Sequence, residues 1–170
     1  PVETRWLPRP WRTPPGRGRG PRFEDAMADL IAEAAAAEPG SALAFLPGVG
    51  EIERVARNLS GRLPKGMELR RLHGAMPLAD QRAALAPGGR KLVLATAIAE
   101  TSLTVEGVRV VIDGGLLAAE QHHDDRARLL RPLFGEVRAR APGHVSVAVE
   151  KQTGRQAFDQ PWWVRSSISF

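Results

Sequence analysis

KLVLATAIAETSLTVEG, residues 91–107, is the stretch on which the reading of this chain turns. An apolar run of strand length, ending at Ala95, feeds directly into Thr96 and a segment dense in hydroxyls, with Thr101, Ser102 and Thr104. A second apolar run, VRVVID at 108–113, follows Gly107. Such a layout puts short hydroxyl side chains and free backbone N–H groups at the carboxyl end of a buried strand. Open α/β sheets bind their ligands there.

Outward from this segment, helical and strand patterns alternate. Pro87-Gly88-Gly89 turns the chain into the strand 90–95, and residues 78–85 read as a helix opened after Pro77. Residues 41–46 are a short apolar run bounded by turn residues and read as a strand, and residues 67–72 read as a second strand. Residues 51–63 carry Ile52, Val55, Ala56, Leu59 and Leu63 on one helical face. Residues 24–37 form another helix, with Phe23, Met27, Leu30, Ile31 and Ala34 as its apolar stripe. Glu24 and Asp25 fall in its first turn, where the helix dipole favours acids, and Pro39-Gly40 ends it. Alternating helices and strands imply parallel βαβ crossovers. The expected fold class is therefore α/β, a three-layer sandwich with a mainly parallel sheet and helices on both faces.

The flanks read differently. Residues 1–20 are rich in Pro, Gly and Arg, and read as an extended linker rather than a regular element. The folded domain is expected over 21–116. Beyond it, 117–170 has no clear period, apart from a Val-rich alternation at 145–149 that is strand-like. The chain does not start with Met, which suggests a fragment or a processed product.

The net charge of +5 comes mostly from Arg, whose planar fork pairs well with phosphate. Nucleic acid or a nucleotide is thus a reasonable partner, although an Arg-rich, Ala-rich composition is equally a mark of GC-rich coding. There is no Cys, so neither a disulfide framework nor a thiolate metal site is available. That fits a cytoplasmic setting. No apolar run approaches membrane-spanning length.

Three segments in order carry a resemblance. AFLPGVGEI (44–52) is similar to motif IV, FLPGxxEI, of the DEAH/RHA group of superfamily-two helicases. LHGAMPLADQRAAL (72–85) resembles the LYxxLPxxxQ segment that follows it, and ATAIAETSLTVEG resembles motif V, TNIAETSLTIxG. PVETRWL (1–7) and the helix at 22–29 look like the bacterial HrpB-type helicases. The resemblance covers about two thirds of the chain and implies the second RecA-like domain of an ATP-dependent RNA helicase.

Such motors hold single-stranded RNA or DNA across two RecA-like lobes, with ATP and Mg²⁺ in the cleft between them. Sequence-independent grip needs contacts to phosphate and sugar rather than base edges. The resemblance implies that Thr96 contacts phosphate, that Gly48 lets a strand-end backbone approach the nucleic acid, and that position 97 faces it too. Ala97 stands where the family carries Asn or Ser, so one polar contact is missing there. Thr104 and Glu106 match family residues that face the nucleotide. One loop would then touch RNA at one end and ATP at the other.

Other candidates have plainer readings. Thr96, Thr101, Ser102 and Thr104 could be helix-capping hydroxyls. Asp113 reads as a turn residue and His73 as a packed or surface imidazole. His122-His123-Asp124-Asp125 has the composition of a metal cluster, but adjacent side chains point apart. Trp162-Trp163 could stack bases or simply be buried. No catalytic residue and no metal ligand is assigned.

The chain has no GxxxxGK(S/T) loop and no DEAH run, both of which belong to the first lobe in this family. It also lacks QRxGRxGR, the arginine-finger motif expected after motif V. The resemblance ends abruptly near Leu116, as a reading-frame change would make it. ATP hydrolysis is therefore expected only with a first RecA-like lobe supplied. A non-catalytic nucleic-acid-binding module and a non-functional truncated product are the alternatives.

Overall fold

Two periodicities decide the architecture. The computed structural model describes residues 2–6, 22–96, 107–114 and 146–150, the first and last of these by backbone alone. Its elements are β1 (Val2–Trp6), α1 (Phe23–Ala37), β2 (Ser41–Phe45), α2 (Val49–Asn58), β3 (Met67–Leu72), α3 (Leu78–Leu85), β4 (Arg90–Ala95), β5 (Val108–Asp113) and β6 (Ser146–Glu150). In the central strands alternate side chains point to opposite faces. Ala42, Ala44, Leu92, Leu94, Val110 and Ile112 pack with the apolar stripes of α1 and α2. Leu43, Phe45, Leu72, Val93, Ala95 and Val111 face the other way, with Ala84 of α3. The result is the three-layer sandwich that the alternating pattern predicts.

The strand order is β1-β6-β5-β2-β4-β3. β5, β2, β4 and β3 are mutually parallel, while β6 runs antiparallel to both β5 and β1. β2 is buried along its whole length, as a central parallel strand covered on both faces must be. β3 lies at one edge and exposes Glu68, Arg70 and Arg71. Arg70 pairs with Glu68, and Arg71 with Glu53 of α2. Charges on an edge strand discourage pairing with another chain.

Two expectations change here. Residues 2–6 are read from sequence as linker, yet they form the outer strand β1, paired with β6. The second helix is predicted over 51–63, but α2 spans Val49–Asn58. Gly48 serves as its N-cap. After Asn58 the chain winds more tightly, with Ser60 N–H donating to the Arg57 carbonyl and Arg62 N–H to the Leu59 carbonyl. Leu59 stays buried through this turn, so the apolar spacing outlasts the helix.

Arg90 ties α1 to the sheet. Its Nε donates to the Gly40 carbonyl at 2.7 Å, and its Nη2 to the carbonyls of Ala35 and Glu38 at 2.5 and 2.8 Å. A helix C-terminus leaves carbonyls without donor partners in the helix, and a guanidinium there satisfies them with favourable sign. Gly40 turns the chain at this point. Its φ of +97° is a left-handed conformation, and a Cβ would collide with the Arg109 side chain. Arg90→Ala is expected to lower unfolding free energy by about 2 kcal/mol, the scale of hydrogen bonds made by a charged donor. Urea denaturation with an unchanged m-value would show it; an unaltered midpoint would contradict the capping role.

Candidate nucleic-acid interface at the sheet rim

Because β5, β2, β4 and β3 are parallel, their carboxyl ends meet at one rim. Three backbone hydrogen bonds lock that rim. Gly114 N–H donates to the Phe45 carbonyl at 3.0 Å, Leu46 N–H to the Ala95 carbonyl at 2.8 Å, and Thr96 N–H to the Leu72 carbonyl at 3.1 Å. The chain therefore leaves each of the four strands at a fixed height. Gly114 is held closely: a Cβ there would lie 3.0 Å from both Phe23 Cζ and the Phe45 carbonyl oxygen.

Gly48 and Thr96 thus emerge from the adjacent strands β2 and β4. Thr96 is half-buried. Its N–H is not free, contrary to the sequence-based expectation, because the ladder to Leu72 uses it. What Thr96 offers a ligand is its hydroxyl, which can both donate and accept. Free N–H groups come instead from α2. Gly48 gives no side-chain cap, and the first intrahelical bond runs from Ile52 N–H to the Gly48 carbonyl at 3.1 Å. Val49, Gly50 and Glu51 therefore have no intrahelical acceptor for their N–H groups. Donors at a helix start, aided by the dipole, suit an anion.

Gly48 itself is extended, at φ −160°, so its backbone does not demand glycine. A Cβ at Gly48 would stand 2.9 Å from Glu51 Oε2, the mobile tip of a side chain. The Glu51 carboxylate takes Arg54 Nη1 at 2.9 Å, and the same nitrogen reaches Glu24 Oε1 of α1 at 3.2 Å. Sequence reasoning missed this cluster, because Glu24 sits where an acid commonly interacts with the helix dipole in water. Here it is 1% exposed.

The segment 72–85 builds the neighbouring part of the rim. After β3, Met76 N–H closes a turn onto the His73 carbonyl at 3.1 Å, and Pro77 N-caps α3. Gln81 Nε2 donates to the Met76 carbonyl at 2.9 Å, so the last residue of the LYxxLPxxxQ-like pattern braces its own turn. His73 is partly buried, and its Nδ1 has no hydrogen-bond partner among the described residues.

Ala97, Thr104 and Glu106 lie outside the described residues, as do His122–Asp125 and Trp162-Trp163. The flanks of the 97–106 segment are described, and they are far apart. Thr96 is at the carboxyl rim, whereas Gly107 accepts from Ser41 N–H at the opposite edge, at 2.9 Å, and leads into β5. Six residues of β5 at strand rise separate those edges by about 20 Å. Among the described residues no group of three His, Cys, Asp or Glu side chains could hold a metal, and no helix is long and apolar enough to cross a membrane.

The helicase conserved C-terminal domain family matches residues 24–128. The ATP-dependent RNA helicase HrpB of Escherichia coli (strain K12) is 51% identical over 116 residues, which are 66% of this chain and 13% of that protein. The pre-mRNA-splicing factor ATP-dependent RNA helicase DEAH10 of Arabidopsis thaliana is 42% identical over 94 residues, covering 50% of this chain and 13% of that protein. Two crystal structures of the E. coli protein, described as a DExH-box NTPase and as a DEAH/RHA helicase, superpose with TM-scores of 0.51 and 0.54 at 51% and 48% identity. They cover 58% and 60% of this chain, and 12% and 13% of the solved ones. The chain thus spans about an eighth of the relatives it matches.

Gln81→Ala is expected to cost about 1 kcal/mol, the value of one neutral hydrogen bond. The loss should be local, so amide exchange should quicken in the 74–85 segment and stay unchanged in β2 and β4. Uniform exchange across the sheet would contradict the bracing role.

Proposed function

The chain belongs to the helicase conserved C-terminal domain family, and from that premise we propose that it is the second motor lobe of a cytoplasmic, HrpB-like ATP-dependent RNA helicase. The observation that supports this most is the locked rim, where the Thr96 hydroxyl follows β4 and the free N–H groups of the first turn of α2 follow the neighbouring strand β2. Single-stranded nucleic acid laid across that rim would meet donors suited to phosphate and sugar, the contacts of a sequence-independent grip. Position 97 is proposed to face the strand as well, and its Ala supplies no polar group.

Thr104 and Glu106 are the residues proposed to face ATP, with Glu106 accepting from a ribose hydroxyl or a metal-bound water. ATP and Mg²⁺ supply the phosphoryl-transfer chemistry when bound, jointly with a first RecA-like lobe. This chain's own share is to bind, orient and couple. The two ends of the 97–106 segment are anchored at opposite sheet edges. A shift of the lobe on nucleotide binding would therefore be felt at the strand-binding rim through one continuous stretch of backbone.

The test uses the full chain with a matching first lobe added in trans. Strand-stimulated ATP hydrolysis is expected to appear, and Thr104→Val should abolish it. Thr96→Val is isosteric and keeps the Leu72 ladder bond, so stability should change by less than about 0.5 kcal/mol. Single-strand affinity should nevertheless fall roughly fivefold, in keeping with one lost hydrogen bond. Salt-dependent strand binding that ignores both ATP and the added lobe would instead establish a binding module without a motor.

A further inference from the structure

The Glu24–Arg54–Glu51 cluster has no part in the chemistry assigned above, yet it borders the rim. Glu24 comes from the first turn of α1, Glu51 from the first turn of α2, and Arg54 one helical turn later. One guanidinium nitrogen, Arg54 Nη1, serves both carboxylates, at 3.2 Å to Glu24 Oε1 and 2.9 Å to Glu51 Oε1. The cluster borders the start of α2: the place of a Cβ on Gly48 is 2.9 Å from Glu51 Oε2, and that of one on Gly50 is 3.5 Å from Arg54 Nη1. The backbone from Gly48 to Gly50 therefore lies beside charged groups, and Glu24 bonds one of them, Arg54, from another helix.

As a device for stability the cluster is poor. Glu24 is 1% exposed and its Oε2 has no hydrogen-bond partner among the described residues. Burying a carboxylate with an unfilled acceptor is costly, and an apolar residue of similar size is often as stable or more so. The Arg54 side chain is 42% exposed, so its attraction is screened by water. An apolar residue could fill the site of Glu24, but it could not fix Arg54. Without that anchor Arg54 and Glu51 are free to change rotamer, and the surface against Gly48 and Gly50 is no longer defined. The cluster also carries two carboxylates against one guanidinium, an unfavourable sign beside a polyanion. Its presence there needs a gain that Coulomb attraction to the strand does not supply.

We infer that Glu24 is a positioning residue for strand binding, acting through Arg54 and Glu51 to hold the Gly48–Gly50 backbone in the conformation that receives the nucleic acid. The inference rests on the reading of the rim as the strand grip.

Affinity of the full 170-residue chain for a fluorescein-labelled oligouridine tests it, alongside thermal denaturation of each variant. Glu24→Leu should weaken binding roughly fivefold while leaving the melting temperature unchanged or higher. Bare electrostatics predicts the opposite sign, since removing a negative charge should tighten the hold on a polyanion. Glu24→Gln keeps an acceptor for Arg54 and should bind within about twofold of the parent chain. The slope of log affinity against log salt should not change, because no phosphate-pairing cation is removed. In an Arg54→Met background, Glu24→Leu should have no further effect on affinity.

Tighter or unaltered binding in Glu24→Leu, with Thr96→Val still weakened, would overturn the positioning role and leave the strand grip standing. A Glu24→Gln variant as weak as Glu24→Leu would overturn it too. If the parent chain and Thr96→Val bind oligouridine equally, or neither binds, the grip itself fails and the inference falls with it.

Discussion

The rim exists because four strands point the same way and are stapled where they end. Parallel pairing of β5, β2, β4 and β3 brings their carboxyl ends together. The bonds from Gly114 to Phe45, Leu46 to Ala95 and Thr96 to Leu72 then continue the ladder one residue past the strands. Two of these donors, Leu46 and Thr96, open the connections that hold the proposed strand contacts. Since the ladder consumes the Thr96 N–H, the binding role at that position passes to the hydroxyl. Since Gly48 leaves α2 without a side-chain cap, that helix contributes unfilled donors next to it. Backbone bookkeeping therefore assigns which groups the rim can present to an anion.

Much of this was legible in the sequence, and the reasons are local. β2 and β4 are short apolar runs bounded by Gly and Pro, with no room for a helix. α1 carries its stripe at three- and four-residue steps for its whole length, and α3 is bounded by Pro77 and the Pro87-Gly88-Gly89 turn. The end of α2 was not legible, because Leu59 and Leu63 keep helical spacing through a tighter, non-helical turn. β1 was hidden among Pro, Gly and Arg, and its pairing partner β6 lies some 140 residues away in the chain. Pairing over such a distance leaves no local trace.

The rim itself divides in the same manner. Thr96 and Gly48 could be singled out because each follows a strand at once. The role of Glu24 could not, because an acid in the first turn of a helix reads as solvated. In the folded chain it is buried and bonded to Arg54, thirty residues on. The segment 97–106 reads as a loop on one rim, but its flanks stand at opposite edges of the sheet. That separation changes the coupling argument from contact within a turn to transmission along a stretch of backbone. Fold follows from periodicity, while the electrostatic setting of the site follows from which helices pack together.

The most direct measurement of the central claim is amide hydrogen exchange of the full chain with and without single-stranded oligouridine. The account predicts strand-dependent protection at Val49, Gly50 and Glu51, whose N–H groups lack intrahelical acceptors, together with the backbone just after Thr96. The Thr96 amide, already held by Leu72, should not respond. Protection confined to the exposed β3 edge, or none along the rim in the presence of bound oligouridine, would contradict it.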